Sequence, residues 1–212
     1  MTITKAEVLD WLRAYGQVIE DQKDYLTELD SVIGDADHGA NMHRGFKAVL
    51  VKLPSVEDKD IGTILKTVGM TLLSTVGGAG GPLYSTLFIQ AGNMLNGKEE
   101  MTLSDWAAAL EAAKIGVVKL GKAEPGDKTM VDALTPAVEV LRKATENGHT
   151  TSDALEESAQ AAKEGMEATI PLVARKGRAS YLGERSAGHQ DPGATSSFML
   201  LETAVKVWAR KE

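Results

Sequence analysis

The sequence contains no cysteine. That excludes disulfides and the thiolate ligands typical of structural zinc sites, and it fits a reducing compartment. Long apolar runs are missing too. None approaches the ~20 residues that a membrane-spanning helix needs, and the opening MTITKAEV has no apolar signal core. Positive charge is in deficit, with 23 Lys and Arg against 30 Asp and Glu for a net charge of −7. A protein held to nucleic acid by phosphate neutralisation is therefore disfavoured. Low-complexity tracts, linker-like stretches and the strict apolar–polar alternation of strands are absent as well. What is left is a cytoplasmic, all-α chain with no nucleic-acid or membrane partner, read as one domain over residues 1–212. Its 43% hydrophobic residues are enough to fill a core.

Eight helices account for the chain. Thr4 and Glu7 form a capping box, and Val8, Leu12, Tyr15, Ile19 and Leu26 follow at helical spacing, giving a first helix to about Glu28. A second runs from near Asn41 to before Pro54. A third carries Ile61, Ile64, Leu65, Val68 and Leu72 on one face. A fourth takes Pro82 as its first residue and stops near Asn96-Gly97. A fifth opens between Thr102 and Asp105 and reaches Leu120. A sixth spans about Lys128 to Asn147, with Pro136 as a kink or as the true start. A seventh, capped by Ser152 or Asp153, reaches Ala174, and an eighth runs from Pro192 to the C-terminus.

The glycines are unevenly placed. The connections after the first, third, fifth and seventh helices contain GDADHG, GGAGG, EPGDKT and GHQDPG, whereas the others are ordinary polar turns. If consecutive helices run up and down, as short connections favour, the four unusual loops lie at one end and each leads into a helix N-terminus. Four positive dipole ends with free N–H groups make an anion site, and phosphate is the natural anion. Glycine ending a helix explains any one of these loops. It does not explain their concentration on alternate connections.

The first of these connections places Asp30, Asp35 and Asp37 close together, with Gly34 and Gly39 as turn residues. Carboxylates so near repel unless a cation or backbone N–H groups offset the charge. Oxygen ligands beside a phosphate suit Mg²⁺. Turn and cap aspartates are the plainer explanation for one or two of the three. An EF-hand starting at Asp35 would need Glu at its twelfth position, which is Phe46, and a zinc site would find only His38 in the loop.

Other candidates are weaker. The stretch from Gly121 to Thr129 is not a Walker A loop, because Asp127 separates Gly126 from Lys128 and no strand precedes it. Lys128 is a candidate phosphate ligand on charge alone, and Asp127 is a plain N-cap candidate. Arg175, Lys176, Arg178 and Arg185 form a basic cluster. The first two fit a helix C-terminus, and Arg178 and Arg185 are the better phosphate candidates, with Tyr181 and Leu182 packing the loop down. His38 and His189 are candidate donors to a phosphate oxygen, while His43 and His149 read as surface. Met130, Leu83 and Met70 line a base slot or are simply core. No nucleophile with an adjacent base stands out.

Four segments, GDADHGANM (34–42), GGAGGPLY (77–84), PGDKTM (125–130) and KGRASYLGERSAGHQDPGA (176–194), together closely resemble the nucleotide-binding subunit family of dihydroxyacetone kinases, and the match runs the length of the chain. The resemblance implies a closed up-and-down barrel of eight antiparallel helices with the nucleotide in loops at one end. It implies two Mg²⁺ on Asp30, Asp35 and Asp37, bridging the phosphates of ADP or ATP. It places nucleotide contacts on His38, Gly39, Ala40, Asn41, Ala79, Gly80, Gly121, Met130, Arg178, Asp191, Pro192 and Gly193, with Arg178 also stabilising the transferring group. The family pattern has serine where this chain has Gly80 and glycine where it has Ser85, so a hydroxyl donor at residue 80 is missing here.

A 212-residue chain without a substrate domain resembles the branch that works with the phosphotransferase system (PTS). There ADP stays bound, a phosphohistidine donor subunit rephosphorylates it, and the phosphoryl group passes to dihydroxyacetone on a separate substrate-binding kinase subunit. The alternatives are an ATP-exchanging kinase subunit and a nucleotide-dependent regulatory adaptor. The sequence gives no oligomeric state, and a homodimer is compatible with it.

Overall fold

The computed structural model describes residues 2–209. Among them, helices α1 (Lys5–Asp21), α2 (Lys23–Ile33), α3 (His38–Lys52), α4 (Ile61–Thr75) and α5 (Gly80–Met94) form the first half. Helices α6 (Leu103–Gly121), α7 (Met130–Glu146), α8 (Thr151–Ala168) and α9 (Pro192–Trp208) form the second. Short 3-10 segments cover Leu53–Ser55 and Arg178–Ser186. The all-α expectation fails at one place. Strand β1 (Thr2–Thr4) pairs antiparallel with β2 (Glu100–Thr102), Ile3 opposite Met101. Three-residue strands are too short to show alternation, and only tertiary pairing creates them. Each runs straight into a helix cap: Thr4 closes a capping box with Glu7 at α1, and Thr102 one with Asp105 at α6.

Several expected boundaries move. The first helix breaks at Gln22 and continues as α2 through Ile33, so Asp30 is on a helix rather than in the loop. Helix α5 begins two residues before Pro82, which sits harmlessly in its first turn. Thr129, not Lys128, starts the sixth predicted helix as the cap of α7, and Pro136 lies inside that helix. Thr150, not Ser152 or Asp153, caps α8. That helix stops at Ala168 instead of Ala174, so Arg175 and Lys176 do not flank a helix end. Helix α9 ends at Trp208, and residues 210–212 lie outside the described ones.

Sequence neighbours pack on one another from α2 through α9, and α9 also packs on α1. The shared interior is one apolar cluster drawn from all nine helices. It contains a tryptophan triad. Trp11 lies 5.5 Å from Trp106 and 5.0 Å from Trp208, which are 5.1 Å apart. Edge and tilted contacts of this kind add to plain burial, and Trp11 and Trp208 place their indole N–H groups on Leu200 O and Glu7 O. The triad sits near the start of α6 and the end of α9, so the opposite ends of those helices are left to build something else.

Candidate functional site

All four glycine-rich connections border a single cavity of about 390 Å³. Helices α2, α4 and α6 end at it, and α3, α5, α7 and α9 begin at it. Asp30, Asp35, Asp37, His38, Asn41, Ala79, Gly80, Gly121, Met130, Arg178, Asp191, Pro192 and Gly193 all line it. Of the expected contacts, Gly39 and Ala40 do not. Leu83 and Met130 form part of the wall, but Met70 is 66% exposed and faces elsewhere. Val117 and Leu120 are wall residues that sequence reasoning missed. Nothing in their local sequence marks them, and only the end of α6 reaching the cavity does.

The acidic residues converge. Asp30, Asp35 and Asp37 each bring an oxygen within 4.8 Å of the others. Asp30 organises the loop from its helix: its Oδ2 accepts from the N–H of Asp37 at 2.8 Å and of His38 at 3.1 Å. The sharp turn falls not on the flanking glycines but on Ala36, at φ 59°. That left-handed conformation costs an L-residue on the order of 1 kcal/mol. The glycines answer a different need. A Cβ at Gly34 would sit 2.0 Å from Asp30 Oδ1, and one at Gly39 2.0 Å from Lys23 O. They let the loop and the start of α3 press against α2.

The helix N-termini divide in two. Helices α3 and α5 start at Asp37 and Ala79 without a side-chain cap. Helices α7 and α9 are capped by Thr129 and Asp191. Of the four dipole ends expected to be free, those of α7 and α9 therefore already have capping partners, and at α3 the first amide, His38 N–H, is taken by Asp30 Oδ2, so α5 is the end left without a side-chain partner. At α5 the backbone acts without the hydroxyl that serine would bring. A Cβ at Gly80 would meet only Val76 Cγ1, at 3.7 Å, so nothing steric excludes a side chain there.

Arg178 reaches the cluster from the opposite loop, its Nε 2.8 Å from Asp35 Oδ2. Lys128, a candidate phosphate ligand by charge, does line the cavity, but its ammonium donates to backbone carbonyls. Asp127 is not the N-cap; its carboxylate accepts from Glu124 N–H. Tyr181, expected to pack the loop down, is 87% exposed, and Leu182 alone packs, against Ile33, Ala174 and Ala179. His38 is held from behind. Its Nε2 lies 2.9 Å from Ser196 Oγ, which in turn meets Tyr84 OH at 2.6 Å. Burial lowers the His38 pKa, against the opposing pull of Asp30 and Asp37. A neutral ring with Nε2 occupied has only Nδ1 left for a ligand.

Burial pushes the Asp191 carboxyl up to about 7, over the opposing hydrogen bond from Ala194 N–H, and Asp132 adds to the rise. In the ligand-free chain, Asp191 then keeps a proton across a window in which an unfolded Asp, with a pKa of about 3.9, has released it. This contributes stability below about pH 4 that is lost as pH climbs toward 7. Asp191→Asn preserves a good capping side chain and is expected to flatten that part of the curve. Urea unfolding of both proteins at about pH 5 and about pH 8 checks it.

A carboxylate cluster and a helix N-terminus without a side-chain cap, facing one loop-built cavity, define a mostly helical protein whose candidate site has the chemistry suited to an anion with hard cations. The chain belongs to the DAK2 domain family, whose profile matches residues 32–206. It is 49% identical over 202 residues to the ADP-binding subunit DhaL of the PEP-dependent dihydroxyacetone kinase of Escherichia coli (strain K12), covering 95% of this chain and 96% of that protein. A counterpart in Listeria innocua, the ADP-binding subunit of PEP-dependent dihydroxyacetone kinase 2, is 44% identical, with 92% and 91% covered. Among solved structures, the native dihydroxyacetone kinase of C. freundii superposes with a TM-score of 0.74 at 25% identity. The match covers 95% of this chain and 34% of that one, so this chain spans about a third of that kinase. The same kinase in complex with AMP-PNP and Mg²⁺ gives a TM-score of 0.70 at 26% identity.

Proposed function

We propose that this chain is the single-domain, nucleotide-carrying subunit of a PTS-dependent dihydroxyacetone kinase. The observation that carries the reading is the convergence of all four glycine-rich loops and three aspartates on one cavity, in a chain nearly half identical to an ADP-binding subunit. Kinases that phosphorylate erythrulose are also similar, but at 33–35% identity. Identity therefore favours the subunit over an ATP-exchanging kinase. The alternating course of the helices and the packing of α9 on α1 support a closed barrel of eight antiparallel helices, with α1 and α2 as one broken member.

The donor set fits the metal. Three carboxylates and no nitrogen or sulfur ligand suit Mg²⁺, and oxygens this close repel without a cation. We place two Mg²⁺ on Asp30, Asp35 and Asp37. The nucleotide lies along Asn41, Ala79, Gly80, Gly121, Met130 and Asp191 to Gly193, with His38, Gly39 and Ala40 contributing through the start of α3. When bound, the Mg-nucleotide supplies the diphosphate that accepts a phosphoryl group from a phosphohistidine donor and yields it to dihydroxyacetone on a partner subunit. The chain's own residues position and neutralise. The first-turn amides of α5 face the anion, and α3 adds the positive end of its dipole. Apolar Leu83, Val117, Leu120 and Met130 limit water. Arg178 is 68% exposed and its pairing with Asp35 is a surface one. Such a pair is worth at most about 1 kcal/mol, so the guanidinium exchanges that carboxylate for a phosphate oxygen at little cost. A chain fed from phosphoenolpyruvate works where that metabolite is made, in the cytoplasm.

The test is phosphate flow from phosphoenolpyruvate to dihydroxyacetone in a reconstituted mixture, with and without this chain. Transfer that requires the chain, with no turnover on added ATP alone, supports the reading. Equal transfer without it removes the reading, and turnover on added ATP alone would move it to an exchanging kinase.

A further inference from the structure

The connection from α8 to α9 packs its middle on Ile33 of α2, and its two ends return to the same point. Gly188 N–H donates to Ile170 O at 2.7 Å, and Asp191 N–H to Thr169 Oγ1 at 3.0 Å. The intervening residues thus form a compact loop with a closed neck, and Arg178 stands on it. Lys128, from the connection between α6 and α7, fills that neck. It is 1% exposed. Its Nζ donates to the carbonyl oxygens of Thr169 at 2.7 Å and Leu172 at 3.2 Å, with Ile170 at 3.4 Å, all on the outgoing limb, and to His189 on the returning limb.

An ammonium has three protons, and here it meets four carbonyl dipoles and no carboxylate at contact distance. Burying a cation is costly unless it is fully hydrogen-bonded, and Lys128 also holds a left-handed backbone at φ 64°, which disfavours any residue but glycine. Two unfavourable terms fall on one residue whose ammonium touches only the neck of the arginine-bearing loop. Gly188 and Thr169 already bring the two limbs together, so the ammonium adds rigidity rather than topology.

We propose that Lys128 is a positioning residue that locks the neck of the 170–188 loop by binding carbonyls of both limbs, and so holds Arg178 over the acidic cluster. This rests on the reading that Arg178 serves phosphoryl transfer.

The experiment is a double-mutant cycle in the reconstituted transfer assay, using Lys128→Gly, Arg178→Ala and the pair, beside hydrogen exchange on each protein. Glycine accepts the φ at Lys128 freely, so the variant removes the ammonium without adding strain at that position. Lys128→Gly is expected to lose roughly 10- to 100-fold in kcat while retaining bound ADP. Faster exchange should be confined to residues 170–190, and added n-butylammonium should recover part of the rate. In the Arg178→Ala background the same change should cost less than about twofold, because the two act through one group. Additive losses, faster exchange spread equally over α7 and α9, or an undiminished rate would each overturn the proposal. Should Lys128→Gly fail to fold, Lys128→Met keeps most of the volume without the charge, and the same cycle decides. A wild-type chain that supports no transfer refutes the functional reading instead. Unchanged exchange over 170–190 in the Lys128 variant would then still refute the lock.

Discussion

Asp37→Ala is expected to release the nucleotide without destabilising the nucleotide-free chain. The reasoning turns on what this carboxylate does not do. Asp37 is the N-cap of α3 by position, yet its side chain makes no capping hydrogen bond, so its removal does not cost the usual ~1 kcal/mol of a lost cap. It stands within 4.8 Å of oxygens of Asp30 and Asp35, so its removal also relieves repulsion. Melting of the apoprotein should stay the same or rise slightly. Nucleotide affinity should fall by more than about 100-fold, since even partners one shell out from a metal are worth 10- to 100-fold. In wild type, Mg-ADP at 100 times its dissociation constant stabilises by about 2.7 kcal/mol, and nearly all of that should vanish. A cap aspartate would give the opposite pair of results, a lower apoprotein melting point and an unchanged response to Mg-ADP. Asp30→Ala should release nucleotide too, but with some loss of apoprotein stability, because Asp30 also binds the Asp37 and His38 amides.

Arg178→Ala should separate binding from chemistry. Phosphoryl transfer is expected to fall by about 10²- to 10³-fold, the usual cost of one preorganised charge-stabilising donor, while the protein still purifies with ADP. Stability should hardly change, because the exposed pair with Asp35 contributes about 1 kcal/mol or less. Arg178→Lys should recover little, since an ammonium cannot reproduce the planar fork of donors. Single-turnover transfer in the reconstituted mixture measures the rate, and nucleotide content after denaturation measures the binding.

Much of this site is legible in the sequence for a simple geometric reason. Alternate connections of an up-and-down helical chain fall at the same end, so glycine-rich stretches on alternate connections must share a rim. The acidic trio could likewise be read from spacing alone. What could not be read depends on contacts between distant segments. The turn at Ala36 is not legible, because left-handed alanine is rare and the neighbouring glycines are the natural turn residues. The cap at Asp191 is legible from Asp191-Pro192, but Thr129 takes the cap position at α7 for which Asp127 is the local candidate. Lys128 reads as a phosphate ligand on charge alone. The carbonyls that bind it come from residues 169–189, far away in the chain and invisible to local reasoning. The pairing of β1 with β2 joins the two ends of the first half of the chain and leaves no local trace.

The central claim is that the cavity holds a nucleoside diphosphate with its metal. Denaturing the purified protein, assaying the supernatant for nucleotide, and melting the protein with and without Mg-ADP tests it most directly. Close to one ADP per chain is expected or, if nucleotide is lost in purification, a melting point that climbs on adding Mg-ADP and does not climb in Asp37→Ala. Nucleotide-free wild-type protein that melts identically with and without Mg-ADP would mean that the cavity, the aspartates and the uncapped start of α5 serve something else.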